Sequence, residues 1–403
     1  MVKQENNQSP YNAVALCAVG TEKVVSNELK KLDLKVIESA YGKVRFKADI
    51  TELYRSLMGL RAADRVLLEA GCFHAADFDA LFEKTQETAW EKLVPANAGL
   101  KIVKVRSSGS RLKAETSIQS ITHKAAAQRL CKHSGLSRLP DTDQAAEARV
   151  YVEKDTVSLL LDLSGEPLFK RGYRRDGGIA PLRETTAAAM ILLSGWKRKY
   201  PLYDPFCGSG TILAEALMYA WDMAPCLGRG EKSPEFALDR LLIADKKIEE
   251  TVRAEFRARI NFERQIRLAG SDGDPECSAL ALSNLKNVHA LAGNRAENNE
   301  PTGRLPLVTT TPMNMARPPF EVKDEPRGFI ITNPPYGKRL GDVEASLVIY
   351  REMSILAKNF PGWKLAVISD HPGFESFFGR KADSCREITG GAIPAFFYQY
   401  EKL

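Results

Sequence analysis

A chain of 403 residues, 44% hydrophobic and 27% charged, is longer than a usual single domain and has ordinary globular composition, which excludes disorder and predicts two or three folded units. The formal charge of +6 leans towards a polyanionic partner without requiring one. Seven scattered cysteines without a C-x-x-C pair, and five histidines without an H-x-x-x-H spacing, predict neither a disulfide framework nor a metal site.

No apolar run is long enough to span a bilayer, and the start of the chain lacks a leader-like apolar segment, so the expected compartment is the cytoplasm. Along the chain, Ala15 to Val19 reads as a strand. A helix follows from Thr21, with Val24, Val25 and Leu29 on one face. The stretch from Leu34 to Ala48 reads as a hairpin turning at Tyr41-Gly42, and a second helix begins at Thr51. This is a small α+β unit, taken as residues 1–60. A second α+β unit, taken as 61–165, contains a helix from about Ile118 to Lys132 and a hairpin turning at Lys154-Asp155.

Beyond Gly165 the pattern changes to regular alternation. Apolar strands ending at Asp204, Asp272, Thr332 and Asp370 alternate with helices from Thr211, from Lys246 to Arg264, from Pro275 and from Val343 to Phe360. That alternation predicts a doubly wound, mainly parallel sheet over 166–403. A terminal hairpin around Gly390-Gly391 would add an antiparallel pair at its edge.

Two motifs carry chemistry. Asp204-Pro205-Phe206-Cys207-Gly208-Ser209-Gly210-Thr211 joins a strand to a helix, and its glycines let a ligand approach backbone N–H groups at the helix start. Taken alone, the bare G-x-G suits a plain strand-to-helix turn equally well. Asn333-Pro334-Pro335-Tyr336 follows another apolar strand. Its prolines stiffen the turn, Asn333 offers an acceptor to an exocyclic NH₂, and Tyr336 offers a flat face on which a base could stack. A capped Pro-rich turn is the plainer reading of the second motif.

Together the two resemble motifs I and IV of the class I amino-group methyltransferases. The resemblance implies strand order 3-2-1-4-5-7-6, with both loops beside the topological switch point. It also implies S-adenosylmethionine as cofactor, held by Asp204, Phe206, Gly208, Ser209, Gly210 and Thr211, with Asp272 as the ribose acceptor and Asp274 as the second choice. Asn333, Pro334, Pro335 and Tyr336 would hold the target base.

From Ala13 onward the chain is similar to the THUMP-domain RNA guanine-N2 methyltransferases, through Leu161-Asp162-Leu163-Ser164-Gly165, Lys170-Arg171-Gly172-Tyr173-Arg174 and Ala180-Pro181-Leu182-Arg183-Glu184-Thr185. This likeness implies a ferredoxin-like segment, a THUMP RNA-binding domain and a Rossmann-like catalytic domain with a seven-stranded sheet. It points to guanine N2 in RNA, with 23S ribosomal RNA as the expected substrate and transfer RNA as the alternative. One departure stands out: where the family carries an acid after the third strand, the segment from Val308 to Met315 has none, leaving Asn314 as a substitute acceptor.

A basic run adds its own signal. Lys101, Lys104, Arg106, Arg111, Lys113, Lys124, Arg129 and Lys132 are opposed within that stretch only by Glu115, and Lys170, Arg171, Arg174 and Arg175 form a second cluster. Lys104, Arg106, Arg111, Lys113, Lys124 and the second cluster are the expected phosphate contacts; a solvated helix face is the plainer reading. Two rivals remain open: a DNA adenine-N6 methyltransferase, because N-P-P-Y suits any amino group on a planar base, and a catalytically silent RNA-binding protein.

Overall fold

The computed structural model describes residues 11–174, 182–229, 235–292, 305–320, 327–335, 343–390 and 394–403. The first sheet is built from β1 (Tyr11–Cys17), α1 (Glu22–Lys31), β2 (Lys35–Ala40), β3 (Lys43–Ala48), α2 (Ile50–Gly59), β4 (Ala63–His74), α3 (Phe78–Glu87), β5 (Leu100–Ser108), α4 (Glu115–Ser134), β6 (Ala146–Glu153) and β7 (Thr156–Asp162). The expected face of α1 is the one it buries: Val24, Val25 and Leu29 pack into the core, while Lys30 and Lys31 complement the helix dipole in the last turn. A capping box starts α2, with the Asp49 carboxylate accepting from Glu52 N and the Glu52 carboxylate accepting from Asp49 N, both at 2.8 Å, an arrangement that stabilises a helix by about 1 kcal/mol.

All seven strands join in the order β2-β3-β1-β4-β7-β6-β5. The division expected at residue 60 falls just before β4, which pairs antiparallel with both β1 and β7 and so serves both halves of the sheet. Between β6 and β7, Lys154 and Asp155 both have positive φ, 51° and 62°. Two such residues give a primed turn whose twist matches that of the strands it joins.

The second sheet is built from α5 (Glu184–Leu193), β8 (Leu202–Asp204), α6 (Thr211–Ala220), α7 (Lys246–Ala258), β9 (Leu268–Asp272), α8 (Pro275–Leu291), β10 (Leu307–Thr310), β11 (Phe329–Thr332), α9 (Val343–Glu352), α10 (Ile355–Asn359), β12 (Lys364–Ser369), α11 (Phe374–Phe378), β13 (Ser384–Ile388) and β14 (Ala395–Tyr400). Its order is β10-β9-β8-β11-β12-β14-β13. The first five strands are parallel, β14 runs against them, and the edge strand β13, antiparallel to β14, runs in their direction again. This is the Rossmann-like methyltransferase arrangement, with the terminal hairpin at the edge. Two helices are shorter than expected: α7 stops at Ala258 because Asn261 N is drawn to Trp221 O at 2.8 Å, and the helix expected to reach Phe360 breaks after α9, where Ser354 N turns to Arg351 O at 3.2 Å.

The two sheets share buried surface. Leu53, Leu57, Met58 and the first-sheet strands form one apolar core with Cys226, Leu227, Phe236, Leu238, Val252 and Phe256, so the stretch between α6 and β9 packs largely with the first sheet. Backbone bonds run across the seam from Cys226 N to Met58 O and from Leu238 N to Leu163 O, each 3.1 Å. An antiparallel bridge between Val19 and Thr389 joins the start of the chain to the edge hairpin.

Candidate active site

The strands β8 and β11 are parallel neighbours, so the loops leaving Asp204 and Thr332 emerge side by side at the carboxyl edge of the sheet. A direct bond fixes them to each other: Thr332 Oγ1 donates to Asp204 Oδ1 at 2.6 Å. The same Oδ1 accepts from Phe206 N at 3.1 Å, while Oδ2 is buried without a partner among the described residues. Burial raises the Asp204 carboxyl to about 7, against the lowering effect of the two hydrogen bonds. A cationic group reaching Oδ2 would reverse that penalty.

The glycine turn has the geometry its composition suggests. Gly210 adopts φ +77° as the residue before α6, and a Cβ there would press on Ala281 at 3.0 Å. Gly208 N donates to Asp272 Oδ2 at 2.9 Å, and Asp274 N to Asp272 Oδ1 at 3.0 Å. Each Asp272 oxygen has therefore used one lone pair and keeps another, which suits two ribose hydroxyls. Asp274 is engaged differently: its exposed carboxylate caps α8, with Oδ1 accepting from Glu276 N at 2.8 Å. Ser209 is held through its carbonyl by Asn284 Nδ2 at 2.9 Å.

The acid-free segment after β10 lies against this site, since Thr311 N donates to Asp272 O at 2.9 Å. Asn314 is exposed there and Met313 buried. At the second motif, Asn333 is 9% exposed and its Oδ1 is buried without a partner among the described residues. Pro334 is buried and Pro335 half-buried. Tyr336 lies outside the described residues, as does Arg175. The two orphaned oxygens, Asp204 Oδ2 and Asn333 Oδ1, and the open lone pairs of Asp272 form a set of acceptors that fits a cationic ribonucleoside ligand beside an amine-bearing base.

The basic clusters need correction. Arg171 is 1% exposed: its Nε faces Glu215 Oε1 at 3.2 Å, Nη1 donates to Leu168 O at 2.7 Å and Nη2 to Arg61 O. It cannot reach a phosphate, because burial without an outward donor leaves it nothing to offer. Arg174 turns inward too, donating to Thr211 Oγ1 at 2.6 Å and pairing with Glu184 at 3.1 Å, so it braces the glycine turn instead of facing solvent. Lys170 is exposed and pairs with Glu166.

In the first cluster the run is less unopposed than its sequence suggests. Folding brings Glu91 to Arg129 at 2.5 Å, Asp141 to Lys101 at 3.0 Å and Asp155 to Arg111 at 3.4 Å, besides the pair of Arg106 and Glu115 at 3.1 Å. Lys104, Lys113 and Lys124 are exposed and make no ion pair among the described residues. Burial and the neighbouring charges of Arg106, Arg149 and Arg65 hold the Lys104 ammonium below its ordinary pKa, the mark of a concentrated positive face on the sheet.

Sequence reasoning missed three supports of the site: Thr332 under Asp204, Asn284 under Ser209, and Gly270, where a Cβ would meet Leu213 at 2.6 Å and Cys207 at 2.9 Å. Only Gly270 carried a signal, a glycine inside an apolar strand, which marks a close approach. Among the described residues no helix is long and apolar enough to cross a membrane, and no group of three or more metal-ligating side chains is found.

Comparison with known proteins agrees with this geometry. The "Putative RNA methyltransferase YpsC" of Bacillus subtilis (strain 168) is 32% identical over 396 residues, covering 97% of this chain and 96% of its own. The crystal structure of SMU.472 complexed with SAH is 31% identical, covers 98% of this chain and 99% of its own, and superposes with a TM-score of 0.84. A Listeria monocytogenes structure described as a predicted N6-adenine-specific DNA methylase is 34% identical, covers 97% and 96%, and gives 0.83. Residues 12–67 match the RlmL ferredoxin-like domain. Residues 171–396, more than half of the chain, match the RMKL-like methyltransferase domain UPF0020, and the protein therefore belongs to that methyltransferase family.

Proposed function

We propose that this protein transfers a methyl group from S-adenosylmethionine to the exocyclic N2 of a guanosine in RNA, with 23S ribosomal RNA as the substrate. The observation that carries the reading is the buried Oδ1 of Asn333 at the end of β11, without a partner among the described residues, beside the Asp204 turn to which Thr332 ties it. When bound, S-adenosylmethionine supplies an electrophilic methyl on a positively charged sulfur. Asp272 would accept from its ribose hydroxyls and Asp204 Oδ2 would meet its cationic amino group, while the Gly208 to Thr211 turn admits it without Cβ atoms in the way.

For the acceptor base, Asn333 Oδ1 and the Pro334 carbonyl would each take one amino hydrogen. This aims the nitrogen lone pair out of the base plane, and positioning of that kind is the enzyme's main contribution when no covalent intermediate is needed. Tyr336 would stack on the base, which has to leave its own stack to enter. RNA as the substrate is supported by the name carried by the Bacillus relative and by the unpaired Lys104, Lys113 and Lys124 on a separate, THUMP-like half of the molecule. Guanine rests on the family likeness through Lys170 to Arg174 and Ala180 to Thr185.

The test offers purified protein and labelled S-adenosylmethionine to unmodified ribosomal RNA, transfer RNA and duplex DNA, then identifies the methylated nucleoside by mass spectrometry. N2-methylguanosine in ribosomal RNA is expected. N6-methyladenosine in DNA, the activity for which the Listeria protein is named, would overturn the reading.

A further inference from the structure

A second cleft lies on the other side of α6, where the two halves of the molecule meet. It encloses about 410 Å³ and is lined from the first half by Glu28, Lys31, Leu32 and Arg61, and from the second by Arg198, Tyr219, Asp222 and Arg259. Tyr219 stands near the C-terminal end of α6, about 12 Å along the helix from Thr211 at the ~1.5 Å rise per residue of an α-helix, so the cleft is separate from the glycine turn.

Cations outnumber acids in its lining, with Lys31, Arg61, Arg198 and Arg259 against Glu28 and Asp222. Glu28 accepts from Arg61 N at 2.9 Å and Ala62 N at 3.0 Å and its charge acts on the Arg61 guanidinium. Asp222 pairs with Arg198 at 2.5 Å and, outside the lining, with Arg264 at 2.8 Å. On the cationic side, Arg61 Nη1 and Arg198 Nε are buried with no hydrogen-bond partner among the described residues. Lys31 and Arg259 are exposed and make no ion pair among those residues. The two inner guanidiniums are held in place by the Tyr219 ring, with Arg198 at 4.2 Å and Arg61 at 5.5 Å from its centroid.

Buried donors without partners are destabilising, by about 1–3 kcal/mol each and more when charged, and a seam that keeps them has them available for a ligand. Rigid guanidinium forks ringed by a lysine and a third arginine match the geometry of a tetrahedral oxyanion. We propose that this cleft binds a phosphate group, supplied either by the backbone of the RNA substrate or by a free phosphate compound. The site stands apart from the methyl-transfer reading, since none of its lining residues belongs to the glycine turn or the Asn333 turn. Burial lowers the Arg61 guanidinium from its ordinary pKa, and an anion in the cleft would oppose that shift.

The probe is inorganic pyrophosphate, titrated calorimetrically into the full chain, into the double variant Lys31→Ala/Arg259→Ala, and into Lys104→Ala/Lys124→Ala as a control for the distant basic face. The two lining residues changed are exposed, so the fold is expected to survive. We expect one pyrophosphate to bind, at least tenfold more weakly in the cleft variant and unchanged in the control. In a second arm the affinity of each protein for ribosomal RNA is measured against salt. A parallel loss of RNA affinity, with a salt slope shallower by about one to two units, identifies the RNA backbone as the source, even if pyrophosphate itself does not bind. Unchanged RNA affinity with weakened pyrophosphate binding identifies a free phosphate compound. If the cleft variant changes neither, the proposal fails.

Discussion

The two sheets differ in the kind of buried polar atom they leave without a partner. In the first, the buried carboxylate of Asp162 is paired, and the unpartnered atoms among the described residues are hydroxyls and guanidinium nitrogens, Thr85 Oγ1, Thr122 Oγ1 and Arg149 Nε among them. Asp162 accepts from Arg65 at 2.5 Å and from Arg149 at 3.2 Å, and even the β5 edge is blunted by His123, whose ring nitrogen lies 3.0 Å from Leu100 O. In the second, the carboxyl edge keeps two buried oxygens without a partner among the described residues, Asp204 Oδ2 and Asn333 Oδ1. An unsatisfied buried acceptor at such an edge is one that a substrate can satisfy.

Arg171 tests that contrast most severely, since it is a paired group inside the catalytic half. With the side chains of both Arg171 and Glu215 fully buried, Arg171→Ala leaves an uncompensated carboxylate and removes the bond to Arg61 O across the seam. Loss of one partner of a buried pair destabilises by about 3–5 kcal/mol. Chemical denaturation should show a loss of that size, whereas a loss below about 1 kcal/mol, the range of surface pairs, would mean that the seam does not depend on this residue.

Asn333→Ala makes the opposite prediction. Its Oδ1 has no partner among the described residues, so the melting temperature should hardly move and S-adenosylmethionine should bind as before, while turnover falls by about 10²–10³-fold, the effect of removing one well-placed polar group at a reacting centre. A variant that keeps full turnover would remove Asn333 from the base pocket. One that unfolds would show instead that the residue belongs with the paired groups of the first sheet.

What could be read in the sequence follows the same division. Periodicity found most strands and helices of both sheets, and the turns at Tyr41-Gly42 and Lys154-Asp155, because these depend on residues close in the chain; it missed the short β10 and α11, which span too few residues to show a period. The D-P-F-C-G-S-G-T and N-P-P-Y motifs located the second sheet's open edge for the same reason. Pairings between distant residues were out of reach. Nothing near Arg171 or Arg174 tells that one meets Glu215 and the other Thr211, and a basic cluster read locally looks like a phosphate grip. That Asp274 caps α8 was not legible either, because a strand-end acid and a helix cap can share one position and only the bond to Glu276 N shows the cap. That β4 joins both halves of the first sheet was likewise invisible, since pairing partners lie many residues away.

Asp204 sharpens the comparison through pH. Its carboxyl moves from 3.8 when unfolded to about 7 in the fold. Between those values the folded chain binds the extra proton, so stability falls as pH rises through the window, and above it the ionised group is a standing cost. Asp204→Asn keeps the acceptor for Thr332 and Phe206 but cannot ionise. The variant should gain about 1–3 kcal/mol over wild type at pH 8, less than the full shift would allow at 1.36 kcal/mol per unit because the site can relax, and should keep only about a third of that gain at pH 5, just above the unfolded value. Glu184, pushed up to about 7 by burial, titrates in the same window, so the variant should keep a reduced slope and not a flat profile. Denaturation curves from pH 5 to 8 supply the measurement, and equal slopes in the two proteins would show that Asp204 is not the titrating group.

The smallest effect is expected on the first sheet's outer face, where charge is exposed and every contact is screened. Lys104 and Lys124 are solvent-facing and unpaired among the described residues, so replacing both by alanine should leave stability within about 0.5 kcal/mol of wild type. Each phosphate contact removed should lower the salt slope of RNA binding by about 0.7–0.9, which for two lysines means a several-fold loss of affinity at moderate salt and little loss at high salt. Arg106→Ala and Arg111→Ala provide the internal contrast, because their side chains already face Glu115 and Asp155 at 3.1 and 3.4 Å and have less charge to give to RNA. The two lysines should therefore outweigh the two arginines even though all four stood equal in the sequence. If the arginine pair dominates the salt slope instead, those surface ion pairs open on binding, and the static pairing is a poor guide to which cations meet the RNA.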